Sequence, residues 1–205
     1  IKIPKPDGTW IVIPVTIDAP TIGATIITRP DKKWIVLPRG QGLFVLDDKK
    51  TPDFFDDDVY KKITVTTSDN EIISYVSCIA EDLDGNIWVG TDQGPVIYYN
   101  PDKIFDSDIK AFRIKIPRND GSGLADFMLG TETITSIAVD GANRKWVGTL
   151  SSGSYLLTQD GTAQITSFNE NNSPIFSNSV VSVAVDGKTG DVGSVSYTHL
   201  MLPTI

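Results

Sequence analysis

The chain has 205 residues, of which 40% are hydrophobic and 21% charged, with a formal net charge of −8. No apolar run approaches the roughly 20 residues of a membrane-spanning helix, and the acidic balance leaves no basic stripe for a phosphate backbone, which argues against nucleic-acid binding. The single cysteine, Cys78, excludes an internal disulfide, and the single histidine, His199, leaves little for nucleophilic or zinc chemistry.

In chain order, one motif recurs: an alternating apolar run, a turn holding Asp-Gly or Asp-Lys, and a strand led by tryptophan. After residues 1–15, a loose copy spans 25–37 and contains Trp34. The fullest copy spans 76–91 with Trp88 and Gly90, the next spans 134–149 with Trp146 and Gly148, and 180–186 opens a fourth. The tryptophans stand 54 (88 − 34) and 58 (146 − 88) residues apart, somewhat above the roughly 40–50 residues of blade repeats. The expected fold is therefore all-β, a partial β-propeller with about three complete four-stranded blades and incomplete blades at both ends. The blades are expected over roughly 22–66, 73–117 and 132–169, with an incomplete one over 178–192.

Alternation and turn residues predict the strands within the fuller units. In the second unit they fall at 75–80, 87–91, 96–99 and 111–116, and in the third at 134–139, 145–149, 154–157 and 163–168. The only helical spacing is a single turn at 124–129. The tryptophans are expected to wedge between neighbouring blades as core, because large aromatics carry much of the buried apolar area. Cys78, in an inner strand, is expected to be a small buried hydrophobe.

A closed propeller has typically 4–8 blades, so this chain is expected to be part of a longer one, and any secretion signal to lie upstream or to have been removed. The motif stops after 186–192, and the string Ser-Val-Ser-Tyr-Thr-His-Leu at 194–200 resembles a translated sequencing-library adaptor. Residues 1–192 are therefore expected to be the propeller segment, and 193–205 a non-native tail that includes His199.

Without His199 no Ser-His or Cys-His pair can be assembled, and no catalytic residue, cofactor or metal ligand is assigned. Asp53, Asp56, Asp57 and Asp58 read as a solvated outer loop between a third and a fourth strand. Asp82, Asp84 and Asn86 have the spacing of half a calcium loop, but the twelfth position is Gln93 and Asp-Gly favours a hairpin turn. The glycines at 121 and 123 lack the strand-to-helix context of a phosphate loop, and the sequon at Asn171 is followed by Pro174.

Meander blades send the turns between second and third strands, and the connections from each fourth strand to the next blade, to one face. That face holds the long segments 66–74, 117–133 and 169–179. Its candidate recognition residues are Arg39, Gln41, Asp92, Gln93, Arg118, Asn119, Asp120, Ser151 and Ser152, since loops on a rigid scaffold are the usual carriers of binding.

The string Ile79-Ala-Glu-Asp-Leu-Asp-Gly-Asn-Ile-Trp-Val-Gly-Thr91 resembles the two-component-regulator propeller repeat common in Bacteroidetes. Longer strings, starting at Lys33, Pro117 and Gly130, resemble the propeller component of the type IX secretion system. The resemblance implies a non-enzymatic protein of the cell surface or outer membrane that binds other secretion-system or surface proteins, with glycan or lipopolysaccharide contacts made by the full-length protein. The alternative it implies is a periplasmic sensor propeller of a hybrid two-component system recognising oligosaccharides. A third possibility, a propeller hydrolase or lyase, would place Asp92 and Asp120 in turnover.

Overall fold

The computed structural model describes residues 2–4, 7–12, 17, 19, 21–51, 54–118 and 120–196. A short hairpin, β1 (Lys2–Pro4) with β2 (Trp10–Val12), precedes the first blade. Blade 1 is the antiparallel meander β3 (Thr25–Ile27), β4 (Lys33–Leu37), β5 (Gly42–Asp47), β6 (Val59–Ile63), followed by a small hairpin, β7 (Val65–Thr66) with β8 (Ile72–Ile73). Blade 2 comprises β9 (Val76–Glu81), β10 (Ile87–Thr91), β11 (Gly94–Tyr98) and β12 (Phe112–Arg113), with a 3-10 turn at Pro101–Ile104 before its outer strand. A second hairpin, β13 (Lys115–Pro117) with β14 (Ala125–Phe127), leads to blade 3: β15 (Ile134–Val139), β16 (Lys145–Thr149), β17 (Ser154–Leu157) and β18 (Gln164–Phe168). Two strands of a further blade follow, β19 (Val180–Val185) and β20 (Val192–Ser196).

The chain is an all-β partial propeller. Two local expectations are corrected. The segment 124–129 is a strand and a turn instead of a helical turn, because Lys115, Ile116 and Pro117 offer it a pairing edge. The strand expected at 111–116 breaks after Arg113, and its second half pairs with that hairpin. In addition, β20 carries the sheet into 193–196, which the sequence reading set aside as a tail. His199 lies outside the described residues.

The core lies between blades. Strand alternation turns Trp34, Val36, Leu43 and Val45 of blade 1 towards Ile79, Val89, Val96 and Tyr98 of blade 2. Trp88 and Ile97 face the other way, onto Ile137, Val147 and Leu157 of blade 3 together with Cys78. Trp34 and Trp88 thus each face the following blade. Trp34 and Trp88 are fully buried, whereas Trp146 is only half-buried, because the blade that would cover it has two strands among the described residues.

The glycines of the repeat explain the close approach. A Cβ at Gly90 would collide with Cys78 Sγ and sit 2.9 Å from Ile134 Cγ2 of the next blade. At Gly148 it would sit 2.9 Å from Val180 Cγ1. Inner strands are also stitched by hydroxyls: Ser77 donates to the Ile134 carbonyl, Thr135 to the Val180 carbonyl at 2.6 Å, and Ser136 accepts from the Val183 amide at 3.0 Å.

The hairpins between first and second strands carry a second set of links. Asp82 accepts from the amides of Asp84 and Asn86 and, at 2.9 Å, from the Trp88 indole. Lys145 of blade 3 reaches back to it at 3.2 Å, with both side chains buried. Arg29 of blade 1 approaches the same hairpin from the other side, bonding Glu81 and the carbonyls of Asp82 and Leu83. The half-calcium spacing is therefore a turn and an inter-blade clasp. Among the described residues, no group of carboxylate, cysteine and histidine side chains could hold a metal ion.

Candidate functional site

The opposite face is built from the turns between second and third strands. Thr91 and Thr149 close these turns by donating to the carbonyls of Gly94 and Gly153 at 2.6 and 2.8 Å, while accepting from the amides of Gln93 and Ser152. Gly94 and Gly153 have φ of +83° and +87°, and a Cβ on either would overlap a backbone carbonyl, of Met128 or Phe168, in the chain leaving an outer strand. Turn and connection are thereby pressed together, as the meander order requires.

Asp92 is exposed, and its neighbour Gln93 offers its carbonyl to Arg113 Nη2 at 3.2 Å. Ser151 and Ser152 both donate to Glu132, at 3.4 and 2.7 Å. The Glu132 carbonyl in turn accepts from Gly94 at 3.1 Å, so Gln93, Ser151 and Ser152 meet around Glu132. Arg39 is exposed with φ of 61°, and Gln41 accepts from Lys62 at 2.6 Å, in the outer strand of the same blade.

The rest of the candidate set stands apart. Arg118 grips Asp126 across its own hairpin, and Asp120 accepts from Ser122 in the hairpin loop. Hydrogen bonds from Arg118 hold the Asp126 carboxyl below its ordinary pKa, and those from Ser122 do the same for Asp120. These side chains shape the hairpin more than they converge on the others. Asn119 lies outside the described residues.

Sequence reasoning missed the residue at the centre of this face. Arg113 lies over the Phe127 ring at 3.7 Å, and its Nη1 bonds Glu71 at 3.1 Å. It borders an open cleft of about 470 Å³ that is also lined by Phe127, Glu132, Tyr155 and Gln164. Burial, with the Glu132 charge behind it, pushes the Tyr155 phenol up. An arginine set between Phe112 and Ile114 in an outer strand was the available signal: a charge inside an apolar alternation needs a partner. Glu132, in a connection without periodicity, offered none.

Comparison with known proteins agrees with this architecture. The model of the two component regulator propeller matches residues 70–93, so the chain carries that repeat around Trp88. Over 93% of its length the chain superposes with a TM-score of 0.82 and 25% identity on PorZ of Porphyromonas gingivalis, a bacterial surface component of the type-IX secretion system. The extracellular domain of the hybrid two-component system BT3049 from B. thetaiotaomicron matches 93% of the chain with a TM-score of 0.62 and 18% identity. Virginiamycin B lyase from Staphylococcus aureus shares the fold, with a TM-score of 0.61 and 14% identity over 99% of the chain. The chain spans 27% of the length of PorZ and 22% of that of BT3049. No curated protein sequence matches it.

Proposed function

We propose that this chain is a binding and scaffolding segment, without catalytic activity, of an accessory component of type IX protein secretion, acting at the cell surface or outer membrane. The observation that carries the reading is the similarity to PorZ over nearly the whole chain, at a TM-score of 0.82. The physics of the site favours binding over turnover. The carboxylates that the lyase reading would use, Asp92 and Asp120, lie on separate loops. Asp92 is exposed, with no side-chain partner among the described residues, and Asp120 is occupied by Ser122. A rigid stack of blades displaying turns is suited to holding protein partners in register.

The test is deletion of the full-length gene in its native host, followed by surface proteolysis and fractionation. The expected result is loss of secreted cargo from the cell surface with accumulation behind the outer membrane. Unchanged secretion would overturn the reading.

A sensor role has its own support in the similarity to the extracellular domain of BT3049. The coding DNA downstream of codon 186, read from intact genomic template, discriminates the two. A membrane span followed by a histidine kinase establishes the sensor, whereas further blades and a terminal β-sandwich without a span favour the secretion component. The same reading decides whether 193–205 are native.

A further inference from the structure

Three times in this chain an aromatic ring and a carboxylate hold one cation between them. Lys145 Nζ sits 4.7 Å from the Trp88 ring and 3.2 Å from Asp82. Arg113 lies 3.7 Å from the Phe127 ring with Nη1 at 3.1 Å from Glu71, and Lys32 lies 5.8 Å from the Phe105 ring and 3.0 Å from Asp102. The two attractions act together, since the negative face of the ring and the carboxylate both favour positive charge. Tyr155 and Glu132 make a fourth ring and carboxylate pair. Both line the open cleft of about 470 Å³ between blades 2 and 3. Burial raises the Tyr155 phenol and the Glu132 charge raises it further, which places the carboxylate near the ring. Here the carboxylate accepts from the hydroxyls of Ser151 and Ser152, and no cation of the chain is in ion-pair contact with it among the described residues.

Glu132 is also held in position from both sides of its backbone. Its amide donates to the Leu129 carbonyl at 2.9 Å and its carbonyl accepts from Gly94 at 3.1 Å. A carboxylate fixed in this way costs little further ordering when a ligand arrives. Charge then selects the ligand. Glu71 neutralises Arg113 and Arg118 neutralises Asp126, so Glu132 is the uncompensated charge of the cleft, which favours a cation and disfavours an anion. One carboxylate among hydroxyls supplies too few oxygens for a calcium ion, which takes roughly 6–8. An organic cation fits. Beside Glu132, Leu150 is 54% exposed, with its amide donating to the Thr133 carbonyl at 2.9 Å. An apolar side chain at that place can cover a methylene stem whose charged head reaches the carboxylate.

Resting on the reading of this face as a protein-binding surface, we propose that the Tyr155 and Glu132 pair receives a lysine or arginine side chain of a partner protein, its charged head set between ring and carboxylate. The experiment is a titration of the full chain with the blocked tripeptides acetyl-Ala-Lys-Ala-amide and acetyl-Ala-Arg-Ala-amide, with the Gln and Glu tripeptides of the same form as controls. It is read by NMR at the Tyr155 ring and the Glu132 side chain. The expected result is a saturable shift of both with the Lys or the Arg peptide and none with the controls. Glu132→Gln, which keeps the shape and removes the charge, should weaken binding by at least about tenfold, or 1.4 kcal/mol. Should that variant not fold, the parent chain carries the test through salt: raising ionic strength from about 0.01 to 1 M shortens the screening length from about 30 to 3 Å and should weaken binding by a similar factor.

The proposal is overturned if neither cationic peptide moves these resonances, if the Gln peptide moves them equally, or if Glu132→Gln binds as the parent does. Shifts confined to Asp92 and Asp120 would refute the cleft while leaving the loop face a binding surface. The secretion test is independent of every one of these results.

Discussion

At Asp82 the carboxylate accepts from Asp84, Asn86 and the Trp88 indole and pairs with the buried Lys145, whose ammonium also sits 4.7 Å from the Trp88 ring. Burial alone would raise its pKa, but the hydrogen bonds from Trp88 and Asn86, with the charge of Lys145, hold it below the ordinary 3.8. Its stabilising contribution is therefore complete above that ordinary value and is lost as pH falls through the lower folded value. Asp140 behaves alike through Arg144 and Ala142, so acid unfolding should set in below about pH 4 and be steepest there. Replacing Asp82 with Ala strands Lys145 without its counter-charge, and should cost about 3–5 kcal/mol in urea unfolding at neutral pH and flatten the acid limb. A loss under about 1 kcal/mol would show that the clasp adds little beyond a surface pair. The first repeat lacks this acceptor. Thr28 stands where the other copies have Asp82 and Asp140, its hydroxyl donates to the Lys32 carbonyl, and the buried Trp34 Nε1 has no partner among the described residues. Thr28→Asp should restore the bond and raise stability by about 1 kcal/mol. A lower unfolding midpoint would mean that Pro30, which has no N–H to offer at the turn, leaves the new carboxylate undersatisfied.

The elements were legible wherever periodicity and turn chemistry agreed. Ile134–Val139, Lys145–Thr149 and Ser154–Leu157 fall on the expected strands, because each alternates between two buried faces and ends at a glycine or an Asp turn. What could not be read was pairing between segments. The edge that Lys115–Pro117 offers to Ala125–Phe127 is non-local, and a three-residue strand carries almost no period. The candidate site was legible as a face and not as a constellation. Thr91, Gly94 and Thr149 announce the turns, while Arg113 and Glu132 act through contacts some 20 residues away in sequence, Arg113 to Gln93 and Glu132 to Ser151 and Ser152. Likewise Asp58 sits in a run whose composition suggests a solvated loop, yet its carboxyl oxygens are buried without a hydrogen bond among the described residues, and burial followed by the nearby Asp48 pushes its pKa up. Close packing of elements gives a sharper test at Gly90. Its missing Cβ is the space that Cys78 Sγ and Ile134 Cγ2 occupy, so Gly90→Ala should destabilise by about 1–3 kcal/mol through forced separation of blades 2 and 3. Ile134→Val in the same chain should recover part of that loss, whereas an unchanged midpoint for Gly90→Ala would show that the inner strands can slide apart without penalty.

On the scale of the molecule, the blades are sequential layers whose apolar faces are finished only by the next layer. Trp88 shows what completion means. The turn at Gly161 of blade 3 lies so close that a Cβ there would come within 2.6 Å of the indole, and nothing larger than glycine fits. Trp146 has no such cover among the described residues. It stacks on Phe168 at 5.5 Å, in a groove of about 330 Å³ shared with Ile175, Phe176, Val183 and Val192. Phe176 is 84% exposed and Val195 61%. Phe176 at the groove and Val195 on the other face of β20 leave apolar surface uncovered on both sides of the last sheet; such surface drives association, and a second copy is the partner always present at the same concentration. The 205-residue chain should therefore self-associate in a concentration-dependent way in light scattering, with emission from Trp146 to the red of that from Trp34 and Trp88. Phe176→Ser together with Val195→Lys should shift the population towards monomer without lowering the unfolding midpoint of the first two blades. Extension of the chain by a complete fourth blade should do the same while moving Trp146 emission to the blue, since an outer turn would then sit on it as Gly161 sits on Trp88. A parent chain that stays monomeric at high concentration and melts in one cooperative step would mean that the exposed flank is not adhesive, and that three blades suffice for a self-contained fold.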